Sequence, residues 1–297
     1  MFTMLHSQQA DGYKLWLKYD KIENSELLNE YGEIVSSIYF KDDNGILKNA
    51  KKEFSLALPQ MLNKQVKYSS NISSDNSLIV DVYENLPNDL KDLVGNDIEV
   101  LTDEGFIIKS LTYKKKSITI ISAKKNIGIL YATFRFLHLM QTHKKLKPID
   151  LVDSPKIDLR MLNHWDNLDR SVERGYAGFS LWNWQKLPEY IDQRYIDYAR
   201  ANASIGINST VLTNVNANAL VLTPMYLEKV EALANVFRGY GIKVYLTARF
   251  SAPIEIGNLE TADPLNPEVQ KWWSNKVAEI YKRIPDFGGF LVKANSE

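Results

Sequence analysis

The sequence predicts an α/β chain in two parts: an N-terminal α+β domain over residues 11–147 and the first half of a (β/α)8 TIM barrel over residues 148–297. In the first part, strand patterns are followed by a long helix with one apolar face, which is typical of an α+β layer. In the second part, strand and helix patterns alternate through βα units, which predicts a parallel sheet. The four units found there are half of an eightfold barrel.

No cluster of side chains in the N-terminal part suggests catalysis. Its clearest helix covers residues 128–143, where apolar side chains recur at helical spacing and His138 lies on their face as a packed histidine. A polar linker with two prolines is expected at 144–155. The other predicted elements are a half-buried strand at 13–19, a segment at 32–40 that fits helix or strand, a helix at 48–62, a strand at 77–83, and a hairpin of strands at 105–111 and 117–122.

Helix-end signals support the βα units of the second part. Pro224 stands at the first turn of one predicted helix, and Gly241 follows its end. The tripeptide 266–268 (Asn-Pro-Glu) begins the next helix with a cap, a proline and an acidic first turn. The predicted strands are 160–164, 207–213, 242–250 and 288–293, and the predicted helices are 188–204, 224–240 and 266–283.

Composition excludes several classes of partner. The 36 basic and 36 acidic side chains cancel, so no whole-chain field favours nucleic acid or an anionic membrane. The absence of cysteine excludes disulfides and thiolate metal sites. No apolar run approaches the roughly 20 residues that a membrane span needs. Residues 1–10 resemble the remnant of a signal peptide, so a periplasmic or extracellular location and a cytoplasmic one both stay open.

Polar and aromatic side chains follow each predicted barrel strand, where barrel enzymes hold their active sites. Amides and carboxylates bind hydroxyl groups and an aromatic ring stacks on a sugar, so the pattern suggests a carbohydrate site; another kind of (β/α) enzyme is the alternative. His164 is too isolated from other histidines to predict a metal, and no glycine-rich phosphate loop is present. The residues are Asn163, His164, Trp165, Asp166, Asn167, Asp169, Glu173, Arg174, Gly175 and Tyr176; Asn214, Val215, Asn216 and Asn218; Arg249, Phe250, Pro253 and Glu255; and Lys293, Asn295 and Glu297.

Lys293 and Glu297 stand four residues apart after the last predicted strand. A cation and a carboxylate at this place suit a site that holds an acidic group and protonates a neighbouring bond. Two plainer interpretations remain open. Glu297 is also explained as a solvated chain end, and Trp165 as a structural plug over the barrel mouth.

Four long segments of the second part carry a specific resemblance: RMLNHWDNLDRSVERGYAGFSLWNW at 160–184, GINSTVLTNVNA at 206–217, SAPIEIGNLETADPLNPEVQKWW at 251–273 and IPDFGGFLVKANSE at 284–297. They closely resemble the microbial alpha-glucuronidases of glycoside hydrolase family 67. DGYKLWLKY at 11–19 and GILYATFRFLHLMQ at 128–141 resemble the N-terminal domain of that family, so the resemblance covers essentially the whole chain.

The resemblance implies an inverting enzyme of xylan degradation. Such enzymes remove 4-O-methyl-glucuronic acid that is α-1,2-linked to the terminal xylose of xylooligosaccharides, and they need no metal or cofactor. They combine an N-terminal α/β domain, a complete barrel and a C-terminal helical domain that supports a homodimer. No nucleic-acid or membrane partner is implied.

The resemblance also implies roles for single residues of this sequence. Glu297 is the expected general acid, and Lys293 is expected to pair with the uronate carboxylate. Trp165 is expected to stack on the glucuronic acid ring, and Val215 to lie near the 4-O-methyl group. Two amides of the same motifs, those of Asn167 and Asn295, complete the expected substrate-binding set.

The chain departs from the family pattern at two places. Arg249 before Phe250 stands where a smaller polar residue is expected. The carboxylates that activate water, an arginine that binds the uronate, the last four barrel strands and the dimerising domain would all follow residue 297. The 297-residue chain alone is therefore expected to be unstable or aggregation-prone, and inactive, because half a barrel leaves two open sheet edges and one uncovered face. The alternatives are a non-catalytic fragment that binds acidic xylooligosaccharides and one half of a split enzyme.

Overall fold

Two β-sheets, each with its own helices, organise the protein in the computed structural model, which describes residues 11–41, 45–72 and 75–293. The expected signal-peptide remnant at 1–10 lies outside the described residues, as do Asn295 and Glu297. The predicted α/β fold is confirmed: a mixed sheet comes first, and a parallel sheet that does not close into a barrel follows it.

The N-terminal sheet has six strands in the order β2-β1-β3-β5-β4-β6. Neighbours among β1, β2, β3 and β5 are parallel, whereas β4 runs antiparallel to β5 and β6. The strands are β1 (Ser37–Phe40), β2 (Tyr68–Ser69), β3 (Ser77–Val82), β4 (Phe106–Tyr113), β5 (Lys116–Ala123) and β6 (Asp150–Asp153), and the helices are α1 (Ser25–Ile34), α2 (Ile46–Leu62), α3 (Asn88–Glu99) and α4 (Asn126–Gln141).

Alternating side chains of β3 divide the N-terminal core between the two faces of this sheet. Leu78 and Val80 belong to the large core that contains α2 and α4. Ile79 lies on the opposite face, in a smaller core under α3. The N-terminal domain is therefore a helix–sheet–helix sandwich.

Most predicted N-terminal elements are confirmed, including the β4–β5 hairpin, but two predictions are wrong. Residues 13–19 form a 3-10 helix (Leu15–Lys18) instead of a strand, because Leu15 and Tyr19 adopt positive φ and Trp16, Leu17 and Tyr19 all pack inward. The expected linker at 144–155 contains β6, whose backbone pairs with β4. Helix α3 was not predicted, although Leu90, Val94 and Ile98 repeat every four residues along it.

The second sheet has four parallel strands in the order β10-β9-β8-β7, so each strand lies beside its neighbour in sequence, as in a (β/α)8 barrel. The predicted cap is confirmed at Asn266, whose side chain accepts from the Glu268 amide. The strands are β7 (Met161–Asn163), β8 (Ser209–Val211), β9 (Lys243–Thr247) and β10 (Gly289–Leu291), and the helices are α5 (Gln193–Ala203), α6 (Pro224–Arg238), α7 (Ala252–Glu255) and α8 (Pro267–Arg283).

A buried ion pair joins the two domains. Glu53 on α2 is 3% exposed, and its carboxylate accepts from Arg200 of α5 at 2.6 and 2.8 Å. The Tyr19 hydroxyl donates to the same carboxylate at 2.5 Å. Because each oxygen of this carboxylate has a donor, the desolvated charge is compensated on both sides of the interface.

Two further contacts fix the junction near the start of β7 and β8. Glu104 receives hydrogen bonds from Arg160 at 2.5 Å and from Asn208 at 3.0 Å. Gly241, at the end of α6, has φ +71° and approaches α4 so closely that an added Cβ would lie 2.2 Å from the Ile127 side chain.

No helix in the described ranges is long and apolar enough to cross a membrane.

We predict that Glu53→Ala lowers the free energy of unfolding by about 3–5 kcal/mol, because it leaves Arg200 buried without its counter-charge. Urea unfolding measures this loss. Glu26→Ala is the matched control, because the Glu26–Lys145 pair is mostly exposed on both sides and should leave stability nearly unchanged. Equal stabilities of the two variants would contradict the prediction.

Candidate active site

A cavity of about 540 Å³ opens at the carboxyl ends of β7, β8 and β9. Its lining comes from the loops that follow these strands, the place where barrel enzymes hold their active sites. Amides, carboxylates and one guanidinium group predominate among the polar groups of this lining. The polar lining residues include Asp166, Asn167, Asp169, Asn216, Asn218, Arg249 and Glu255.

Asp166 is the buried anchor of the loop after β7. Its carboxylate accepts from the Ser180 hydroxyl at 2.5 Å and from the Leu181 amide at 3.2 Å. Its backbone carbonyl accepts from the Asn214 amide at 2.8 Å. A single residue therefore ties both ends of the 166–181 loop to each other and to the loop after β8.

His164 has a structural environment. Its Nε2 lies 2.7 Å from the Tyr198 hydroxyl, which in turn lies 3.0 Å from Thr210 Oγ1, and its ring packs against Trp182. Burial raises the pKa of Tyr198 to about 12, so this hydroxyl is neutral. Within the described ranges, no group of three His, Asp or Glu side chains is arranged to hold a metal ion.

Trp165 is held by its backbone while its ring is 44% exposed. The Trp165 carbonyl accepts from the Glu173 amide at 2.8 Å and from Asn214 Nδ2 at 3.3 Å. Asn167 lines the cavity, but its amide nitrogen donates to Ser171 Oγ at 3.0 Å and to the Glu173 carbonyl at 2.8 Å. The sequence did not reveal that this amide holds the loop.

Lys293 and the loop after β8 lie together. Lys293 Nζ is 3.2 Å from Asn216 Oδ1, although the two residues are 77 positions apart in the sequence. Asn214 Oδ1 accepts from the Asn216 amide at 2.9 Å, and half-buried Val215 forms the turn between them. Trp165, Asn167, Val215 and Lys293 thus all follow strands at one end of the parallel sheet.

Arg249 and Glu255 form an ion pair on the cavity wall. Arg249 Nε lies 2.5 Å from Glu255 Oε1, and Ser251 Oγ also donates to this carboxylate oxygen. The hydrogen bond from Ser251, followed by that from Arg249, lowers the pKa of Glu255 below its ordinary value of 4.5. The sequence placed Arg249 among the candidate site residues after the third barrel strand and marked it as a departure from a family pattern, but it did not reveal the pairing across the first turn of α7.

Comparison with known families covers almost the whole chain. The glycosyl hydrolase family 67 N-terminus matches residues 15–136, and the glycosyl hydrolase family 67 middle domain matches residues 139–297. The chain belongs to glycosyl hydrolase family 67. The resemblance seen in the sequence motifs is therefore confirmed.

Fungal proteins are among the similar relatives of this family 67 chain. "Probable alpha-glucuronidase A" of Aspergillus fumigatus is 35% identical over 252 residues, which are 84% of this chain and 29% of the relative. "Probable alpha-glucuronidase A" of Aspergillus oryzae is 32% identical and "Alpha-glucuronidase A" of Emericella nidulans is 31% identical, each over 97% of this chain and 34% of the relative. The chain thus spans about a third of the length of these relatives.

Solved structures share the fold at low sequence identity. A GH138 enzyme targeting pectin rhamnogalacturonan II has a TM-score of 0.56 at 18% identity, and the match covers 85% of this chain and 30% of that enzyme. CpGH84B has a TM-score of 0.52 at 13% identity, and the match covers 86% of this chain and 39% of that protein. The arrangement of the two domains therefore recurs in other proteins.

We predict that Asp166→Ala costs about 2–4 kcal/mol of stability, because it leaves buried donors without their acceptor. Amide hydrogen exchange should become faster across residues 166–181 and at Asn214 in this variant. Asp169→Ala is the control, because the Asp169 carboxylate is exposed and its side-chain hydrogen bonds to described residues stay within its own turn, at Ser171. Unchanged exchange in the Asp166 variant would refute its role as the anchor.

The depressed pKa of Glu255 gives a second prediction. The ionised form of Glu255 stabilises the fold above its ordinary pKa of 4.5, and this stabilisation is lost as the pH falls through the lower folded value. Ser251→Ala and Arg249→Asn should each raise the pKa of Glu255 toward its ordinary value, because each removes a hydrogen bond to the carboxylate. Carboxyl ¹³C NMR titration of Glu255 measures both shifts. A pKa that neither variant raises would contradict this assignment.

Proposed function

We propose that this chain is part of an alpha-glucuronidase that acts on acidic xylooligosaccharides in xylan degradation. In the proposed reaction, (4-O-methyl)glucuronic acid that is α-1,2-linked to xylose is released with inversion. Support comes from membership of family 67, from the names of the relatives, and from a polar cavity at the carboxyl ends of the barrel strands.

The position of Lys293 carries the proposal. Its ammonium group follows β10 and lies 3.2 Å from Asn216 Oδ1, and Asn216 lines the cavity. A neutral amide oxygen orients the ammonium group without neutralising it, so Lys293 keeps its charge available for the uronate carboxylate. In the described ranges no carboxylate lies within ion-pair distance of Lys293 Nζ.

Sugar-ring recognition is assigned to the neighbouring loops. The exposed ring of Trp165 is suited to stacking on the C–H face of the uronic acid, because its backbone is held by two hydrogen bonds. Val215 supplies an apolar contact for the 4-O-methyl group from the turn between two asparagines. Asn295 is proposed to hydrogen-bond a hydroxyl group of the substrate. Asn167 is proposed to accept a hydrogen bond from another hydroxyl group through its side-chain carbonyl, because its side-chain nitrogen holds the loop.

Glu297 is the proposed general acid, four residues after Lys293. It would protonate the glycosidic oxygen while a second carboxylate activates water from the opposite face of the sugar. The acidic residues that line the described cavity are Asp166, Asp169 and Glu255, and each has local hydrogen-bond donors of its own. The base is therefore assigned to residues of the whole enzyme other than these three. No metal or cofactor takes part.

The whole enzyme is proposed to act as a homodimer in which a C-terminal domain forms the interface. Neither nucleic acid nor membrane is a proposed partner, since the formal charges of the chain cancel. An exported form, periplasmic or extracellular, is proposed for organisms that degrade the polymer outside the cell, and a cytoplasmic form for those that import short acidic oligosaccharides.

We predict that the chain binds an acidic xylotriose bearing methylglucuronic acid at least tenfold more tightly than neutral xylotriose. Lys293→Met should remove this preference by weakening only the acidic ligand, since a charge-assisted contact is worth about 1.5–3 kcal/mol. Trp165→Ala should weaken the acidic ligand without abolishing the effect of Lys293. Isothermal titration calorimetry measures all of these affinities.

Product analysis separates cleavage from binding. Release of methylglucuronic acid from the acidic ligand identifies an active enzyme, whereas binding without release supports the interpretation as a binding fragment or as half of a split enzyme. Equal affinities for acidic and neutral xylotriose would contradict the proposed role of Lys293, and the proposal rests on that role.

A further inference from the structure

A second cavity, of about 480 Å³, lies between the two domains at the opposite end of the barrel strands from the candidate active site. Arg160 and Gly206, which line it, precede β7 and β8. The two cavities share no lining residue. A volume of this size at a domain junction is typical of small-molecule sites.

Aromatic rings form the wall of this second cavity that belongs to the N-terminal domain. Trp16 makes edge contacts with Phe134 at 6.2 Å and with His138 at 5.2 Å between ring centroids. The Trp16 indole nitrogen already donates to Ser204 Oγ at 3.1 Å, so the ring offers the cavity an apolar surface. Burial, and then the charge of Arg135, lowers the pKa of His138, so this ring is neutral at pH 7. The wall therefore favours a flat apolar body.

Two hydrogen-bond donors on the same wall have no acceptor among the described residues. The Tyr131 side chain is 7% exposed and its buried hydroxyl has no acceptor. Arg135 Nε is likewise buried without an acceptor. The two residues are four positions apart on α4, so their side chains project from one face of the helix. A buried unsatisfied donor is costly, and a bound acceptor would relieve that cost.

The unpaired charge of Arg135 favours an anion, and the negative charge of Glu104 near the Tyr131 hydroxyl is compensated by Arg160. Arg135 has no ion-pair partner in the described ranges, whereas Arg160 is paired with Glu104 at 2.5 Å and lies over the Tyr131 ring. The one acidic residue of the described cavity lining, Asp153, is exposed to solvent. The Tyr131 hydroxyl and the Nε–H group of the unpaired Arg135 guanidinium match the two oxygens of a carboxylate.

We propose that this cavity binds a small aromatic carboxylate, with its carboxylate on Tyr131 and Arg135 and its ring against Trp16 and Phe134. A sugar acid is the poorer match, because its hydroxyl groups would need more polar partners than the aromatic wall provides. The site is independent of the proposed glucuronidase activity.

The test is calorimetric titration of the 297-residue chain with benzoate, and with benzamide as the neutral analogue of the same shape. Benzoate is expected to bind at least tenfold more tightly than benzamide. Tyr131→Phe should weaken benzoate about tenfold, and Arg135→Met should weaken it at least as much, because each removes a hydrogen bond to a charged group. Tyr83→Phe and Arg194→Met lie outside the cavity lining and should leave the affinity unchanged.

Folding and the competing ligand class are controlled separately. Tyr131→Phe removes a hydroxyl that has no acceptor in the described part of the chain, so its urea midpoint should equal or exceed that of the wild type. Saturation-transfer NMR on benzoate gives a readout of binding that needs no variant. Absence of binding by the folded wild type, or affinities that both cavity variants leave unchanged, would overturn the proposal. The proposal would also be overturned if D-glucuronate binds, benzoate does not, and Tyr131→Phe abolishes the binding of D-glucuronate.

Discussion

The contact between Glu53 and Arg200 determines how the parts of this protein meet. One carboxylate from α2 receives the guanidinium group of α5 and the hydroxyl of Tyr19, so three separate segments converge on two oxygens. Each of these groups would be costly to bury alone, but together they satisfy one another. The N-terminal domain is thus attached to the outer helices of the barrel part, and the carboxyl end of the strands is left free for the loops.

Those loops are ordered by a second buried carboxylate. Asp166 connects the loop after β7 with the loop after β8 through side-chain and backbone hydrogen bonds, and Asn214 returns a bond to the Trp165 carbonyl. This framework uses the backbone carbonyl of Trp165 and the side-chain nitrogen of Asn167, whereas the ring of Trp165 takes no part in its hydrogen bonds. This division lets the ring of Trp165 and the ammonium group of Lys293 stay exposed to a ligand at small entropic cost on binding.

The fold followed from the sequence wherever local pattern and topology agree, and the candidate cavity lies at the strand ends where the sequence predicts a site. Alternating strands and helices predict a parallel sheet, and a parallel sheet places Lys293, which follows β10, at the same end as the loop after β8, which contains Asn216. Long-range packing explains the errors. The alternation of apolar and lysine side chains at 13–19 belongs to a 3-10 turn from which Trp16 and Tyr19 pack inward. The predicted linker contains β6, an edge strand whose exposed side chains are polar enough to resemble a linker.

Side-chain pairing was less accessible than topology. Nothing in the local sequence shows that Glu255 accepts from Arg249, or that the nitrogen of Asn167 is already engaged in its own loop. Such contacts depend on rotamers and on the course of the backbone between strands, which a periodic pattern does not encode. The donors of Tyr131 and Arg135 were hidden for the same reason, because only the folded interface shows that they lack acceptors among the described residues.

The close approach of Gly241 to Ile127 makes the substitutions tolerated at one of these positions depend on the residue at the other. Residue 241 needs a positive φ, and a side chain there would occupy the volume that the Ile127 side chain fills. A change at 241 is therefore tolerated only after residue 127 has become smaller, so the order of substitutions matters. Covariation between these two positions would record the docking of α4 against the end of α6, without any contribution from the active site.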